Sequence, residues 1–179
     1  MVVFDSTFLL LALHPNVAVP PDPRTKKPIE KGRERVEHLI DTLSDARTRM
    51  FVPSPVLAEV LVYAGAAAIA GYISKIRGVS SMSVADFDTL AAIECAQLTG
   101  AALAGGRKRG KESQQPWQKV KFDRQIVAIA KVHQADTIYT CDEGLAILAR
   151  AENFVVRHVA DLPMPPLKSQ PDMFVPTAK

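Results

Sequence analysis

Four acidic residues lie where side chains of an α/β protein normally converge. Asp5 directly follows the apolar run Met1–Phe4, and Asp142 follows Thr137–Thr140, a run of β-branched and aromatic residues. Glu59 has apolar neighbours, and Asp123 precedes the helix-like pattern RQIVAIA. Carboxylate oxygens are the ligands that hard divalent cations prefer. If these four acids meet, they form a cage for such an ion.

Residues 119–148 organise the rest of the chain. Apolar residues at helical spacing predict a helix over Arg124–Gln134 that Asp123 opens, with Arg124 facing water. A strand over Thr137–Thr140 and a second helix over Leu145–Arg150 follow, and Asp142 lies where the chain leaves the strand. This order of helix, strand and helix is one unit of an α/β fold.

A predicted strand followed by a predicted helix also surrounds the other two acids, Asp5 and Glu59. Met1–Phe4 predicts a strand that ends at Asp5, with a helix from Phe8 to Leu13. A strand over Met50–Val52 leads into the helix of Glu59, with Ser54 as N-cap and Pro55 at the first helical position. Ligands of parallel α/β sheets bind outside the carboxyl ends of the strands, so acids in these places can share one crevice.

The remaining segments complete an alternating pattern. Helices are predicted over Ile29–Arg49 and over residues 83–104 with Ser83 as N-cap, and a last strand over Phe154–Val156. The helix of Glu59 continues through an alanine-rich stretch, in one piece or two, and Ser74–Ser81 is a connector.

Composition narrows the class of protein. At 179 residues, with 47% hydrophobic and 23% charged residues, the chain suits one ordinary globular domain. Its two cysteines form no CxxC pair, and the N-terminus has no basic region of the kind that begins a signal peptide. The longest apolar stretch, residues 60–73, is too short to span a bilayer. We therefore expect a cytoplasmic protein.

Basic residues cluster in two runs although the net charge is only +3. One run lies within residues 24–35 and the other within residues 107–124, and such runs are typical of surfaces that hold a polyanion. We assign substrate binding to four residues of the second run: Arg107, Lys108, Arg109 and Lys111. Trp117 either stacks on a base or anchors that loop.

Four segments together resemble the motif blocks of PIN-domain ribonucleases, most closely the toxin nucleases of bacterial toxin–antitoxin pairs. The segments are VVFDST, SPVLAEVL, KFDRQIVAIA and TIYTCDEGL, and they stand in the family's order over roughly residues 1–162. The resemblance implies a three-layer α/β/α sandwich with a central parallel sheet. Residues 20–35 and 104–121 are basic insertions relative to short members, and residues 163–179 form a proline-rich tail.

The resemblance also implies an activity, which is hydrolysis of RNA phosphodiester bonds with Mg²⁺ or Mn²⁺. The family's four acids fall on Asp5, Glu59, Asp123 and Asp142. Asp5 and Asp123 are then direct ligands, Asp142 completes the site or holds a second ion, and Glu59 orients the attacking water or binds through one. RNA, a small antitoxin protein and a second copy of the chain are the expected partners, and no membrane is expected.

Two other functions compete with this interpretation. A PIN-like module could bind RNA or protein without cleaving it. FDST after a strand also resembles phosphatases that form an aspartyl-phosphate, but those have a second aspartate two residues after the first, where this chain has Thr7.

Overall fold

A five-stranded parallel sheet forms the centre of the molecule in the computed structural model, which describes residues 1–105 and 116–166. The strands are β1 (Val2–Phe4), β2 (Met50–Pro53), β3 (Met82–Ala85), β4 (Thr137–Tyr139) and β5 (Val155–Arg157). Their order in the sheet is β3-β2-β1-β4-β5, with every neighbouring pair parallel. The order along the sheet therefore reverses its direction between β1 and β4.

In the described part of the chain, seven α-helices connect the strands, in two sets that contact one another. They are α1 (Ser6–Leu13), α2 (Gly32–Asp45), α3 (Ser54–Ala64), α4 (Ile69–Gly78), α5 (Thr89–Ala104), α6 (Trp117–Val132) and α7 (Glu143–Ala151). Helices α1–α4 belong to the crossovers among β1, β2 and β3, and α5–α7 to those leading to β4 and β5. Since parallel crossovers are right-handed, the two sets cover opposite faces of the sheet. The predicted α/β/α sandwich is confirmed.

The core lies on both sides of β1, β2 and β4. Val3, Phe4, Met50 and Ile138 are almost fully buried in the sheet, and Leu11 packs on it from α1. Continuous apolar strands of this kind are expected where helices cover both faces of a parallel sheet. This burial rigidly fixes the points at which β1 and β4 end.

Two predicted elements are wrong. Residues 83–104 are not one helix, because Met82–Ala85 pairs with β2 as an edge strand and the helix begins at Thr89. Asp88, not Ser83, is the N-cap, and its carboxylate accepts the Ala91 N–H at 2.9 Å. The segment predicted as a connector is also largely helical, since α4 continues to Gly78.

The helix of Glu59 does divide into two pieces, at Gly65. This glycine has a φ of +70°, which L-residues with a side chain rarely adopt, and it ends α3. Within residues 1–105 and 116–166 no single helix is long and apolar enough to cross a bilayer. Helix α3 and the segment Ala66–Gly78 reach that length only together, with a bend of 115°.

The proline-rich segment before α2 is irregular and is fixed at both ends. A Cβ on Gly32 would lie 2.4 Å from Val19 Cγ1, so a side chain at the start of α2 would force Val19 to shift. Arg33 donates to the carbonyl oxygens of Pro15 and Val17, both at 3.1 Å, and to that of Leu11. The segment is thereby tied to the end of α1.

Replacing Arg33 with methionine should lower the stability of the fold. Three carbonyl groups would lose a charged donor, and hydrogen bonds to charged groups contribute roughly 1.5–3 kcal/mol each before relaxation. We expect a net loss of about 2–3 kcal/mol, a fall in melting temperature of roughly 4–10 °C that calorimetry can measure. Arg77→Met, at an exposed position of α4, is the matched control, and equal melting of both variants would contradict the role of Arg33.

Candidate functional site

Asp5 and Asp142 lie at the place where the strand order reverses. Asp5 follows β1 directly and is the N-cap of α1, while Asp142 follows β4 and is the N-cap of α7. Because β1 and β4 are neighbours whose crossovers leave in opposite directions, their carboxyl ends open a crevice. The prediction that both acids follow strands at one edge of the sheet is therefore confirmed.

Thr140 joins these two acids. Its hydroxyl donates to Asp5 Oδ2 at 2.6 Å and accepts the Asp142 N–H at 2.9 Å. The other oxygen of Asp5 accepts from the N–H of Ser6 at 2.5 Å and from its hydroxyl at 3.1 Å. These contacts fix the Asp5 carboxylate on both sides.

Burial disfavours the charged form of Asp5 at the end of β1. Only 4% of the residue is exposed, and burial raises the pKa of its carboxyl group. The hydrogen bonds from Thr140 and Ser6 oppose this shift, and the charge of Asp142 adds to it. A buried carboxylate that titrates high is one that a nearby cation would stabilise.

Asp123 reaches the same crevice from α6, but not as predicted. The helix begins at Trp117, so Asp123 lies well inside it and does not open it. It is therefore buried by helix packing, with 2% exposure, and is not held by the positive end of a helix. The helix also ends slightly earlier than predicted, at Val132.

A lysine that belongs to the second basic run of the sequence lies among these acids. Lys119, one helical turn before Asp123, places its Nζ 2.5 Å from Asp142 Oδ2 and 3.6 Å from Asp123 Oδ1. Burial lowers the pKa of Lys119, but Asp142, Asp123 and Asp5 together hold it above its usual value. The ammonium group of Lys119 thus lies within the acid cluster and pairs with two of its carboxylates.

Glu59 does not join this group. It is exposed on α3, whose buried residues are Val56 and Val60, and it is absent from the charges that shift Asp5 and Lys119. The prediction that Ser54 is the N-cap of this helix is also wrong. Ser54 lies inside α3, and its hydroxyl accepts the Phe87 N–H at 3.0 Å. Three of the four predicted acids therefore converge.

The three converging acids are not arranged as a metal-binding site in this structure. Across residues 1–105 and 116–166, no three His, Cys, Asp or Glu side chains are close enough to hold one ion together. Lys119 occupies the space that an ion shared by Asp123 and Asp142 would need. The oxygen donors of Asp5, Asp123, Asp142 and Thr140 nevertheless suit a hard ion such as Mg²⁺, which would have to displace the ammonium group.

The predicted substrate-binding loop cannot be placed against the site. Arg107, Lys108, Arg109 and Lys111 lie outside the described residues. Trp117 is in the first turn of α6, where its ring lies 5.4 Å from the guanidinium carbon of Arg124. Arg124 was expected to face water but is 2% exposed. The choice between base stacking and loop anchoring for Trp117 stays a prediction, because the loop lies outside the described residues.

The neighbouring thiol is poorly suited to act as a nucleophile. Cys141 lies between Thr140 and Asp142, but burial raises its pKa to about 12. A thiol with such a pKa is almost fully protonated near neutral pH, and the thiolate is the reactive form.

The strand order, the parallel pairing and the two helical layers define the class: this is a PIN-like fold. No family model and no curated protein sequence matches the chain. Solved structures do match it. One is a chain of FitAB bound to an IR36 DNA fragment, with a TM-score of 0.59 and 19% identity over 92% of this chain and 99% of that one.

A second solved structure has the same fold. A chain of VapBC2 from Rickettsia felis, bound to a DNA fragment from the promoter, aligns with a TM-score of 0.56 and 15% identity, over 88% of this chain and 98% of that one. At these identities the comparison establishes the fold. Both alignments span nearly the whole of the matched chains, so the PIN-like unit accounts for most of this protein.

Proposed function

We propose that the protein is a metal-dependent endoribonuclease and the toxin of a toxin–antitoxin pair. The proposal rests mainly on one observation: Asp5, Asp123 and Asp142 all lie around Lys119 at the strand-order reversal of a PIN-like sheet. The four motif blocks support the same activity. Asp5, Asp123 and Asp142 would hold Mg²⁺ or Mn²⁺, and Glu59, which lies outside this group, would act on the ion only through water.

The metal would lower the pKa of a bound water and neutralise charge on the phosphate. The chain's own residues have other tasks. Thr140 and Ser6 orient the Asp5 carboxylate. Asp142 is held by the Leu145 N–H at 3.0 Å, so one oxygen is fixed while the other faces Lys119. Once displaced from the carboxylates, the ammonium group of Lys119 is free to contact a phosphate of the RNA.

Cleavage of labelled single-stranded RNA, measured while Mg²⁺ or Mn²⁺ is titrated into metal-free protein, tests the activity. We expect internal cleavage that requires the metal and stops with EDTA. Single-stranded DNA of the same sequence is the parallel substrate. Release of phosphate from a small ester without RNA cleavage would instead support the phosphatase, and binding of RNA with no cleavage at any metal concentration would support a binding module.

One observation favours that binding module as the second candidate. The ammonium group of Lys119 already pairs with Asp142 and Asp123, so these acids have a structural partner without any metal. A PIN-like module that only grips RNA or protein could retain such a cluster. Binding of Mg²⁺ measured by calorimetry on the wild-type chain separates the two, because only the nuclease requires the metal.

Partners follow from the neighbours of this fold. The FitAB and VapBC2 structures are DNA-bound toxin–antitoxin complexes, which supports a small antitoxin as the protein partner here. Expression of the chain in bacteria should arrest growth, and co-expression of a cognate antitoxin from an adjacent reading frame should relieve the arrest. A second copy of the chain is the other proposed partner, which light scattering can detect.

Replacing Thr140 with valine should weaken metal binding without unfolding the protein. Valine keeps the shape but removes the hydroxyl between Asp5 and the Asp142 N–H, and loss of such a supporting contact typically costs ~10–100-fold in metal affinity. We expect about tenfold, because Ser6 still holds one oxygen of Asp5. Calorimetry with Mg²⁺ measures it, and Thr140→Ser, which keeps the hydroxyl, should bind as the wild type does.

A further inference from the structure

A cavity of about 320 Å³ opens beside the acidic crevice and is not explained by metal binding. Thr140, Cys141 and Asp142 form the wall that it shares with the acids. Ala146 and Arg150 of α7 and His158, which follows β5, form a second wall. Ligand pockets in proteins range over roughly 300–1,000 Å³, so this cavity has room for one nucleotide-sized group.

The remaining wall comes from the irregular segment before α2, through Pro23 and Arg24. That segment is ordered by a turn around Asp22, whose carboxylate accepts the Arg24 N–H at 2.8 Å and whose carbonyl accepts the Lys26 N–H at 2.8 Å. The guanidinium of Arg24 then lies 3.1 Å from Asp161 Oδ1. Arg24 is thus held at the cavity wall although most of its side chain is exposed.

The carboxylates that line the cavity are already paired with cationic side chains. Three carboxylates line it, and each has a cationic partner. The pairs are Asp142 with Lys119 at 2.5 Å, Asp161 with Arg24 at 3.1 Å, and Glu143 with Arg150 at 3.8 Å. A phosphate group would have to compete with these carboxylates for the cations. A neutral, planar group suits such a lining better.

His158 adds a donor that is also uncharged. Its Nδ1 accepts the Ala160 N–H at 3.0 Å, which assigns the ring proton of the neutral imidazole to Nε2. Burial lowers the pKa of this histidine, so the neutral ring prevails at pH 7. Pro23, Ala146 and Val156 supply apolar surface between these polar groups.

From this geometry we propose that the cavity binds the base of a nucleotide next to the cleaved phosphate in single-stranded RNA. The proposal rests on the proposed function, since it takes the crevice of Asp5 and Asp142 as the place of cleavage. Unstacked bases are held in proteins by stacking on aromatic rings or on the guanidinium plane of arginine, and by hydrogen bonds to their edges. The guanidinium group of Arg24 supplies a plane on which a base can stack. His158 Nε2 supplies a hydrogen-bond donor for its edge.

The test uses the full chain in EDTA, so that RNA is bound but not cut. The probes are one fluorescent single-stranded RNA and a set of the same oligonucleotides, each lacking one base. For the wild type we expect binding to weaken by about tenfold when one particular base is missing, since stacking is worth ~1–3 kcal/mol per base. Fluorescence anisotropy gives the dissociation constants.

Two variants assign that effect to the cavity. Arg24→Lys keeps the charge but loses the plane, so it should bind the intact RNA about tenfold more weakly and no longer distinguish the RNA that lacks the critical base. Lys27→Ala, an exposed position of the same segment, is the control. It removes a charge outside the cavity and should affect every oligonucleotide equally.

The outcomes separate this proposal from the nuclease activity. Wild-type affinity of Arg24→Lys for the intact RNA, uniform tolerance of missing bases, or no binding of RNA at all would overturn the base-binding cavity. If a phosphate were the ligand, Arg24→Lys would bind normally and missing bases would not matter. If wild-type binding weakens when one particular base is missing, but Mg²⁺ and Mn²⁺ give no cleavage, the base-binding role of the cavity is supported and the nuclease assignment fails.

Discussion

Asp5→Asn is expected to abolish RNA cleavage and, in metal-free solution, to raise the melting temperature of the protein. The first effect follows from the loss of a proposed metal ligand. A bound metal ion contributes several kcal/mol of transition-state stabilisation, so the rate should fall by about a thousandfold or more. The second follows from burial: the site holds Asp5 in a place that disfavours its charge, and asparagine has none.

The stability effect should depend on pH in a definite direction. The pKa of Asp5 is raised in the folded protein, so between its ordinary value of 3.8 and the raised value the folded state binds more protons than the unfolded state. Stability is then lost as the pH rises through that window. Melting in EDTA from about pH 4 to about pH 8 should show this loss in the wild type and less of it in Asp5→Asn.

Asp86→Asn is the matched control for Asp5→Asn. Asp86 also follows a strand of the same sheet, β3, but is exposed at the edge. Its replacement should leave both cleavage and melting unchanged. Equal cleavage by Asp5→Asn and wild type would contradict the assignment of the active site. A lower melting temperature of Asp5→Asn in EDTA would contradict the electrostatic account while leaving the catalytic one open to the cleavage result.

Much of this fold was predictable because local patterns and tertiary packing agree in it. The apolar run Val2–Phe4 and the β-branched and aromatic run at Thr137–Thr140 are typical of buried strands, and the acids that follow β1 and β4 were placed correctly from these two runs. The position of Asp142 as a helix N-cap also follows from local chemistry, since Asp is favoured there.

The error at β3 has a tertiary cause. Met82–Ala85 buries only its first and last residues and hydrogen-bonds on one side alone. Ser83 and Val84 are exposed, so the segment lacks the alternation that identifies a half-buried strand. Its pairing with β2 decides its conformation, and no local signal in the sequence expresses that pairing.

The error at α6 hid part of the candidate site. Buried charges at Asp123 and Arg124 interrupt the apolar pattern, so the helix was predicted to begin at Arg124 and not at Trp117. With the true start, Lys119 and Asp123 stand four residues apart on one helix, a spacing at which side chains meet. Local rules fail most often at functional sites, because residues there serve chemistry before folding. No sequence pattern indicates that Thr140 contacts Asp5, apart from its position two residues before Asp142.

Lys119→Met is the second variant with a large expected effect, and its two readouts should move in opposite directions. Without metal, removing the ammonium leaves Asp142 and the buried Asp123 without their shared cation. Breaking a fully buried pair from one side costs roughly 3–5 kcal/mol. Because a third of the Lys119 side chain is exposed, we expect about 1–3 kcal/mol here, measured as a lower melting temperature in EDTA.

Metal affinity should rise in the same variant. A divalent ion shared by these carboxylates competes with the ammonium group, and two unit charges 4 Å apart interact by ~4 kcal/mol at the effective dielectric of a protein surface. Allowing for movement of the lysine, we expect Mg²⁺ to bind about a hundredfold more tightly to Lys119→Met, which calorimetry measures. Saturating Mg²⁺ should then restore the melting temperature that EDTA reveals as lowered.

A comparison with Lys121→Met makes this result specific. Lys121 is on the same helix and carries the same charge, but it is exposed, and its Nζ lies 5.9 Å from the centre of the Trp117 ring. Its replacement should change neither melting nor Mg²⁺ affinity. If Lys119→Met binds Mg²⁺ no more tightly than Lys121→Met does, Lys119 does not compete for a metal site. The acid cluster is then a salt-bridged structural feature, as the binding-module candidate requires.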